Sequence, residues 1–476
     1  MKWLAVLAGV AASLLLTIVL VFAVQARLRL PELRAWHTLT LGAEFRAERD
    51  AGKSFPEYLA LEQRLFAEVQ LRLPEDSQAF SRYNPKSVVA RLARETRYNR
   101  SYELSPQGEA RGAALLVHGL SDSPYSMRAM AETLLAQGYY VLVLRLPGHG
   151  TVPAALVGVS WEDWYGAVVL AARHAAAKAG AGKPFVAGGH STGSALLTLY
   201  SLRALADPAL PRPQRLYLVS PAIGISPFAA LTGVVSSLSF IPAFEKARWL
   251  DVLPEYDPYK YNSFPVNAAK QIYRLTRVVQ HALDAEADSG RLAEMPRIIA
   301  FQSIVDSTIT AAEIVRGLLA RLPPKGHELV VFDINRNENL EGWIAPGPLE
   351  DLERLRDAVD LPFRLTLVAN RARDTRGVAA YSRPAGGRDV VIESLPYQWP
   401  AGVFSVGHVS LPFPVDDPVY GLTGGGDFNL GALAPKGESG ALVVSPGTFE
   451  RLRSNPFWGV IQAKIVATEK AAAAAH

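Results

Sequence analysis

The stretch Gly189-His190-Ser191-Thr192-Gly193 sets a serine between glycines, directly after the apolar run Pro184-Phe185-Val186-Ala187 and ahead of the Ala- and Leu-rich residues 194–205. As a bare string, G-x-S-x-G is common. Between a strand and a helix it is restrictive, because the serine must then sit on a sharp turn at the carboxyl end of the strand. Flanking glycines let strand and helix come close. The start of the helix directs backbone N–H groups toward any negative charge that develops beside the hydroxyl.

The chain upstream repeats this rhythm. Residues 98–104 read as an edge strand and 113–117 as a short buried one, which runs into His118-Gly119-Leu120-Ser121-Asp122-Ser123-Pro124. Ser123 with Pro124 marks a helix start, and Met127, Met130, Ala131, Leu134 and Leu135 share one helical face. Residues 140–146 form the next strand, ending in Pro147-Gly148-His149-Gly150, and Ser160 starts a further helix. Alternating strands and helices predict an α/β fold, a mostly parallel sheet with helices on both faces.

His-Gly after one strand, Gly-His-Gly after the next and G-H-S-T-G after the third resemble the α/β-hydrolase superfamily. The chain is most similar to its bacterial lysophospholipase and monoacylglycerol-lipase-like serine hydrolases, from about residue 98 to the C-terminus. The resemblance implies a mostly parallel eight-stranded sheet, a Ser-Asp-His triad in that chain order, a cap over the site, and ester hydrolysis through an acyl-enzyme. It also implies an oxyanion hole from the backbone N–H groups of Leu120 and Thr192.

A serine hydroxyl is a weak nucleophile and needs a base that a third group orients. Ser191 is the candidate nucleophile. Residues 297–305 read as a strand with Asp306 at its carboxyl end, the edge where open α/β sheets carry their chemistry. Asp333, inside the next strand, is the rival acid. His118 and His149 precede the serine, His174 and His281 lie in helices, His190 neighbours Ser191, and His476 ends the chain. His327 begins a strand, the wrong end for this site. That leaves His408, in a loop of Gly and Pro with no core to fill, as the expected base. It departs from the family pattern, since about seventy residues separate the strand ending near Phe332 from it, more than loop lengths allow.

The expected organisation follows. Residues 96–222 and 296–476 form the hydrolase domain, 223–295 a cap rich in aromatic residues, and 336–400 an insertion with a helix and extra strands before the histidine. Residues 27–95 form a helical spacer, where Ser54 to Glu57 is a capping-box start for a helix with Leu61, Leu65 and Val69 on one face. Residues 3–26 carry no charge and are long enough to cross a bilayer. A retained membrane anchor is expected, a single N-terminal span with the catalytic domain exported from a bacterial inner membrane. A cleaved signal peptide ending near Val24-Gln25-Ala26 is the alternative.

A net charge of +4 over 476 residues, with no clustered Lys and Arg, argues against dedicated nucleic-acid binding. The absence of cysteine excludes disulfides, thiolate metal sites and a cysteine nucleophile. No metal or organic cofactor is needed. The expected substrate is a small-molecule ester or lipid, of lysophospholipid or acylglycerol type. A thioesterase or peptidase on the same scaffold, or a catalytically silent binding protein, remain open alternatives.

Overall fold

The computed structural model describes residues 28–42, 44–224, 242–433 and 444–474, with isolated positions before them. Pro227 and Phe228 of the expected cap, His476, and Val24 to Ala26 lie outside the described residues.

The strands are β1 (Tyr102–Leu104), β2 (Gly112–Val117), β3 (Tyr139–Leu144), β4 (Phe185–His190), β5 (Arg215–Val219), β6 (Trp249–Asp251), β7 (Phe264–Pro265), β8 (Arg297–Ser303), β9 (Glu328–Phe332), β10 (Arg364–Asn370), β11 (Gly377–Arg383) and β12 (Val391–Gln398). Ten of them form one sheet in the order β1-β3-β2-β4-β5-β8-β9-β10-β11-β12, and β6 and β7 pair separately. From β3 to β10 every pairing is parallel, while β1, β11 and β12 are antiparallel additions at the two edges.

The central strands are unbroken apolar runs because both their faces are covered. In β2, Ala113, Leu115 and Val117 enter one core, and Ala114 and Leu116 the other. In β3, Tyr140, Leu142 and Leu144 alternate in the same way with Tyr139, Val141 and Val143. The two-residue period of a strand thus feeds two layers at once.

The first helix in the chain order used here, α1 (Phe55–Arg72), belongs to the N-terminal region. On one face of the sheet lie α2 (Arg128–Ala136), with Met130 and Leu134, and the C-terminal helix (Trp458–Ala474), with Ile461 and Ile465. The other face carries α3 (Trp161–Ala179), α4 (Thr192–Ala206) and α5 (Val266–Asp288). Pro124 opens a short 3-10 turn, Pro124–Met127, before α2 rather than the helix itself.

Residues 44–72 are fastened to the sheet. Arg145, fully buried at the end of β3, pairs with Glu44 and Glu62, each at 3.0 Å, and its carbonyl accepts from the Tyr58 hydroxyl at 2.6 Å. Both acids come from the N-terminal region, so this buried cation is neutralised only when that region is in place. Removing one partner of such a buried group typically costs 3–5 kcal/mol.

One expectation is corrected. Among the described residues no helix is long and apolar enough to cross a membrane, so the predicted single span with an exported domain does not stand. A span takes about 20 mostly apolar residues. The longest described helix, α5, carries Lys270, Arg274, Arg277, Asp284, Glu286 and Asp288. Of the predicted anchor, only isolated positions fall within the described residues.

Candidate active site

Ser191 stands between β4 and α4 with φ 51° and ψ −112°, a strained conformation for a residue with a Cβ. Its N–H donates to Val219 O at 2.9 Å, and its carbonyl accepts from the Ala195 and Ala222 N–H groups, each at 3.2 Å. The turn is this tight because its glycines allow it. A Cβ on Gly193 would lie 2.0 Å from Val117 O, and one on Gly189 would lie 2.5 Å from Ser194 N. Gly193→Ala is therefore expected to lower stability by about 3 kcal/mol, because overpacking here meets backbone that cannot move aside. A urea midpoint within error of the wild type would contradict this.

Asp306 follows the carboxyl end of β8, fully buried in its side chain. Its Oδ2 accepts from His408 Nδ1–H at 2.8 Å, and its Oδ1 accepts from the Thr308 and Ile309 N–H groups at 2.9 and 3.0 Å. Burial pushes the carboxyl upward. The charge and hydrogen bond of His408, with the two backbone N–H groups, outweigh it and hold Asp306 below its ordinary range. The rival acid is spoken for elsewhere: Asp333 pairs with Arg336 at 3.1 Å and Arg356 at 3.4 Å.

The return of His408 across seventy residues has a structural reason. After β9 the chain runs outward through β10, β11 and β12 and comes back along the carboxyl ends of the strands. There Asn335 N–H donates to Phe404 O at 2.7 Å, and Ser303 Oγ at the end of β8 donates to Val406 O at 2.5 Å.

Ser191, His408, Leu120 and Thr192 line one cavity of about 270 Å³. Thr192 is the first residue of α4, so its N–H has no intrahelical acceptor. Leu120 lies in the 118–123 turn, which packs against the nucleophile so closely that a Cβ on Gly119 would lie 3.3 Å from Ser191 Cβ.

Two buried groups beside Ser191 were not singled out in the sequence. His190 Nε2–H donates to the His408 carbonyl at 3.2 Å, and its Nδ1 faces Asp122 Oδ2 at 3.6 Å. His190 thereby holds the main chain of the histidine that meets Asp306. Its place inside the pentapeptide was the available signal, but nothing local indicated its target.

His118 and His327 serve backbone hydrogen bonds. Leu146 N–H donates to His118 Nε2 at 3.0 Å, leaving Nδ1–H for Gly119 O at 2.8 Å. His327 Nδ1 accepts from Ile298 N–H at 3.1 Å. Burial lowers His37, His118 and His327 to about 4 and holds His149 well below its ordinary value. The unfolded chain protonates all four near 6.5, so their stabilisation is complete above that pH and is lost as pH falls toward 4. Glu62, Asp251 and Glu255, raised by burial, act in the opposite sense, while Asp50, Asp122 and Asp306, lowered, act with the histidines. Each unopposed imidazole contributes about 1.4 kcal/mol per pH unit. The urea midpoint should fall from about pH 6.5 to pH 5, where the four imidazoles outnumber the opposing carboxyls; a midpoint that rises across that window would contradict their being buried neutral.

A mostly parallel α/β sheet with a strained serine after its fourth strand and a carboxylate–imidazole pair beyond the carboxyl ends of its strands has the arrangement of the α/β-hydrolase fold. Residues 108–315 match the family model described as serine aminopeptidase, S33. A thermostable monoacylglycerol lipase from Bacillus sp. (strain H-257) is 43% identical over 54 residues, 11% of this chain, so the chain spans about a fifth (22%) of the length of that relative. Similar solved structures include a metagenome-derived lipolytic enzyme (21% identity, TM-score 0.39, covering 55% of this chain and 98% of that one). Another is the monoacylglycerol lipase of Paleococcus ferrophilus (17% identity, TM-score 0.37, covering 49% and 88%).

Proposed function

We propose that the protein is a serine hydrolase of carboxylic esters, of lipase or esterase type. Ser191 attacks the acyl carbonyl while His408 takes its proton. The tetrahedral oxyanion is held by the Leu120 and Thr192 N–H groups, and the leaving alcohol departs with the proton from His408. Water, deprotonated by the same imidazole, then releases the acyl group from Ser191. Asp306 holds the Nδ1–H tautomer, which leaves Nε2 free to accept. The observation that carries this reading is the 2.8 Å Asp306–His408 pair beside the cavity that Ser191 lines.

An acylglycerol-type substrate is supported by the local identity to the Bacillus lipase and by the apolar wall that α5 turns to the cavity. On the same reading, residues 223–295 serve as the cap and 336–400 as an insertion that extends the sheet. The test is a fluorophosphonate probe together with short p-nitrophenyl esters, a monoacylglycerol, an acyl thioester and an aminoacyl amide. Labelling at Ser191 with ester turnover is expected. Turnover of the amide alone would favour a peptidase, and no labelling with no turnover would leave a silent binding protein.

A further inference from the structure

The cavity that Ser191 lines is walled largely by apolar side chains, among them Leu120, Phe264, Ile272 and Ile309. Among the described residues that line it, Lys260 is the one lysine or arginine. It is half-buried, and among the described residues its ammonium has no hydrogen-bond or ion-pair partner.

Its main chain, by contrast, is firmly held. Lys260 N–H donates to Asp257 Oδ1 at 3.0 Å, and its carbonyl accepts from Arg82 at 3.4 Å. The next residue, Tyr261, donates its N–H to Ser121 O at 2.7 Å. That bond ties the turn of the lysine to the turn that carries the Leu120 N–H. The buried Asp122 carboxylate feels the ammonium's charge without a direct contact to it: Oδ1 accepts from Ser123 N–H at 2.9 Å, and Oδ2, 3.6 Å from His190 Nδ1, makes no hydrogen bond among the described residues. An ammonium facing an apolar wall loses part of its hydration and regains that loss from an anion brought by a ligand.

We infer that Lys260 reads an anionic group on the substrate, so that the ester cleaved here is an anionic amphiphile. Its carboxylate or phosphate pairs with the ammonium while its hydrocarbon part lies on the apolar wall. This rests on the serine-hydrolase reading above and narrows its substrate class.

The test uses the full chain and two matched pairs of esters. One pair is p-nitrophenyl valerate with the p-nitrophenyl monoester of glutaric acid, which tests a carboxylate. The other is a monoacylglycerol with the lysophosphatidic acid of the same acyl chain, which tests a phosphate. The wild type is expected to favour the anionic member of at least one pair by about 10- to 100-fold in kcat/KM, as for a charge-assisted hydrogen bond. Salt should shrink that preference. Lys260→Met should reduce the anionic-to-neutral ratio by a similar factor, and Lys260→Arg should retain most of it. Equal turnover within both pairs by the wild type would overturn the inference without any variant. So would an unchanged ratio in Lys260→Met, or a parallel loss on both members, which would make the lysine part of the oxyanion site or of the fold. Absence of Ser191-dependent turnover on all of these esters would instead remove the hydrolase reading itself.

Discussion

Ser191→Ala is expected to lower kcat on a short p-nitrophenyl ester by on the order of 10⁵- to 10⁶-fold, the loss typical when a triad nucleophile is deleted. The site offers little to replace it. Ser194, on the same helix, donates to Gly189 O at 2.6 Å and is fully buried, and the Thr192 hydroxyl is buried as well. Stability should move separately from activity. Alanine meets the same strain at φ 51°, so Ser191→Ala should unfold close to the wild-type midpoint. Glycine relieves that strain, and Ser191→Gly should be equally inactive yet more stable by about 1 kcal/mol, after its own entropy cost. Fluorophosphonate labelling or ester turnover that survives in Ser191→Ala would end the nucleophile assignment.

Asp306→Asn is expected to lower kcat by about 10⁴-fold through the wrong imidazole tautomer. The hydrogen bonds around Asp306 dictate the direction of the effect. Oδ1 accepts from two backbone N–H groups, Thr308 and Ile309, so the amide of an asparagine must keep its oxygen there. Its NH₂ then faces His408 Nδ1, which can only accept. The proton moves to Nε2, the atom that has to receive the hydroxyl proton from Ser191. Flipping the amide would set NH₂ against two donors and leave them buried and unpaired, so it offers no escape. The check is steady-state kinetics on Asp306→Asn beside Asp333→Asn. Asp333 is held by Arg336 and Arg356, so its variant should lose stability with far less effect on chemistry. Retention of activity within tenfold by Asp306→Asn would refute the assignment, and a larger loss in Asp333→Asn would transfer it.

Much of the fold was legible because it is written in short-range pattern. Unbroken apolar runs marked β2, β3 and β4, and a helical stripe marked α2. The glycines about Ser191 marked a turn that other residues could not make, and Asp306 stood out as the first acid after an apolar strand. His408 was reached only by eliminating the other histidines. The sheet holds ten strands rather than eight, because β10, β11 and β12 follow β9 and continue it outward past its seven earlier strands. An insertion's strands look the same in sequence whether they join the main sheet or fold over it. The predicted membrane span did not survive, since no described helix has the length and apolarity to cross.

By itself the sequence determined the strand–turn–helix unit, the layered α/β architecture and the place of Ser191 on its turn, because backbone sterics and hydrophobic period act between residues close in the chain. Tertiary structure alone decided which histidine meets which acid. It also turned His190 toward the main chain of His408 and set Lys260 in the wall of the cavity that Ser191 lines. Those relations join residues that neighbour one another only across parallel strands, where hydrogen bonding between distant segments, and not local preference, sets the positions.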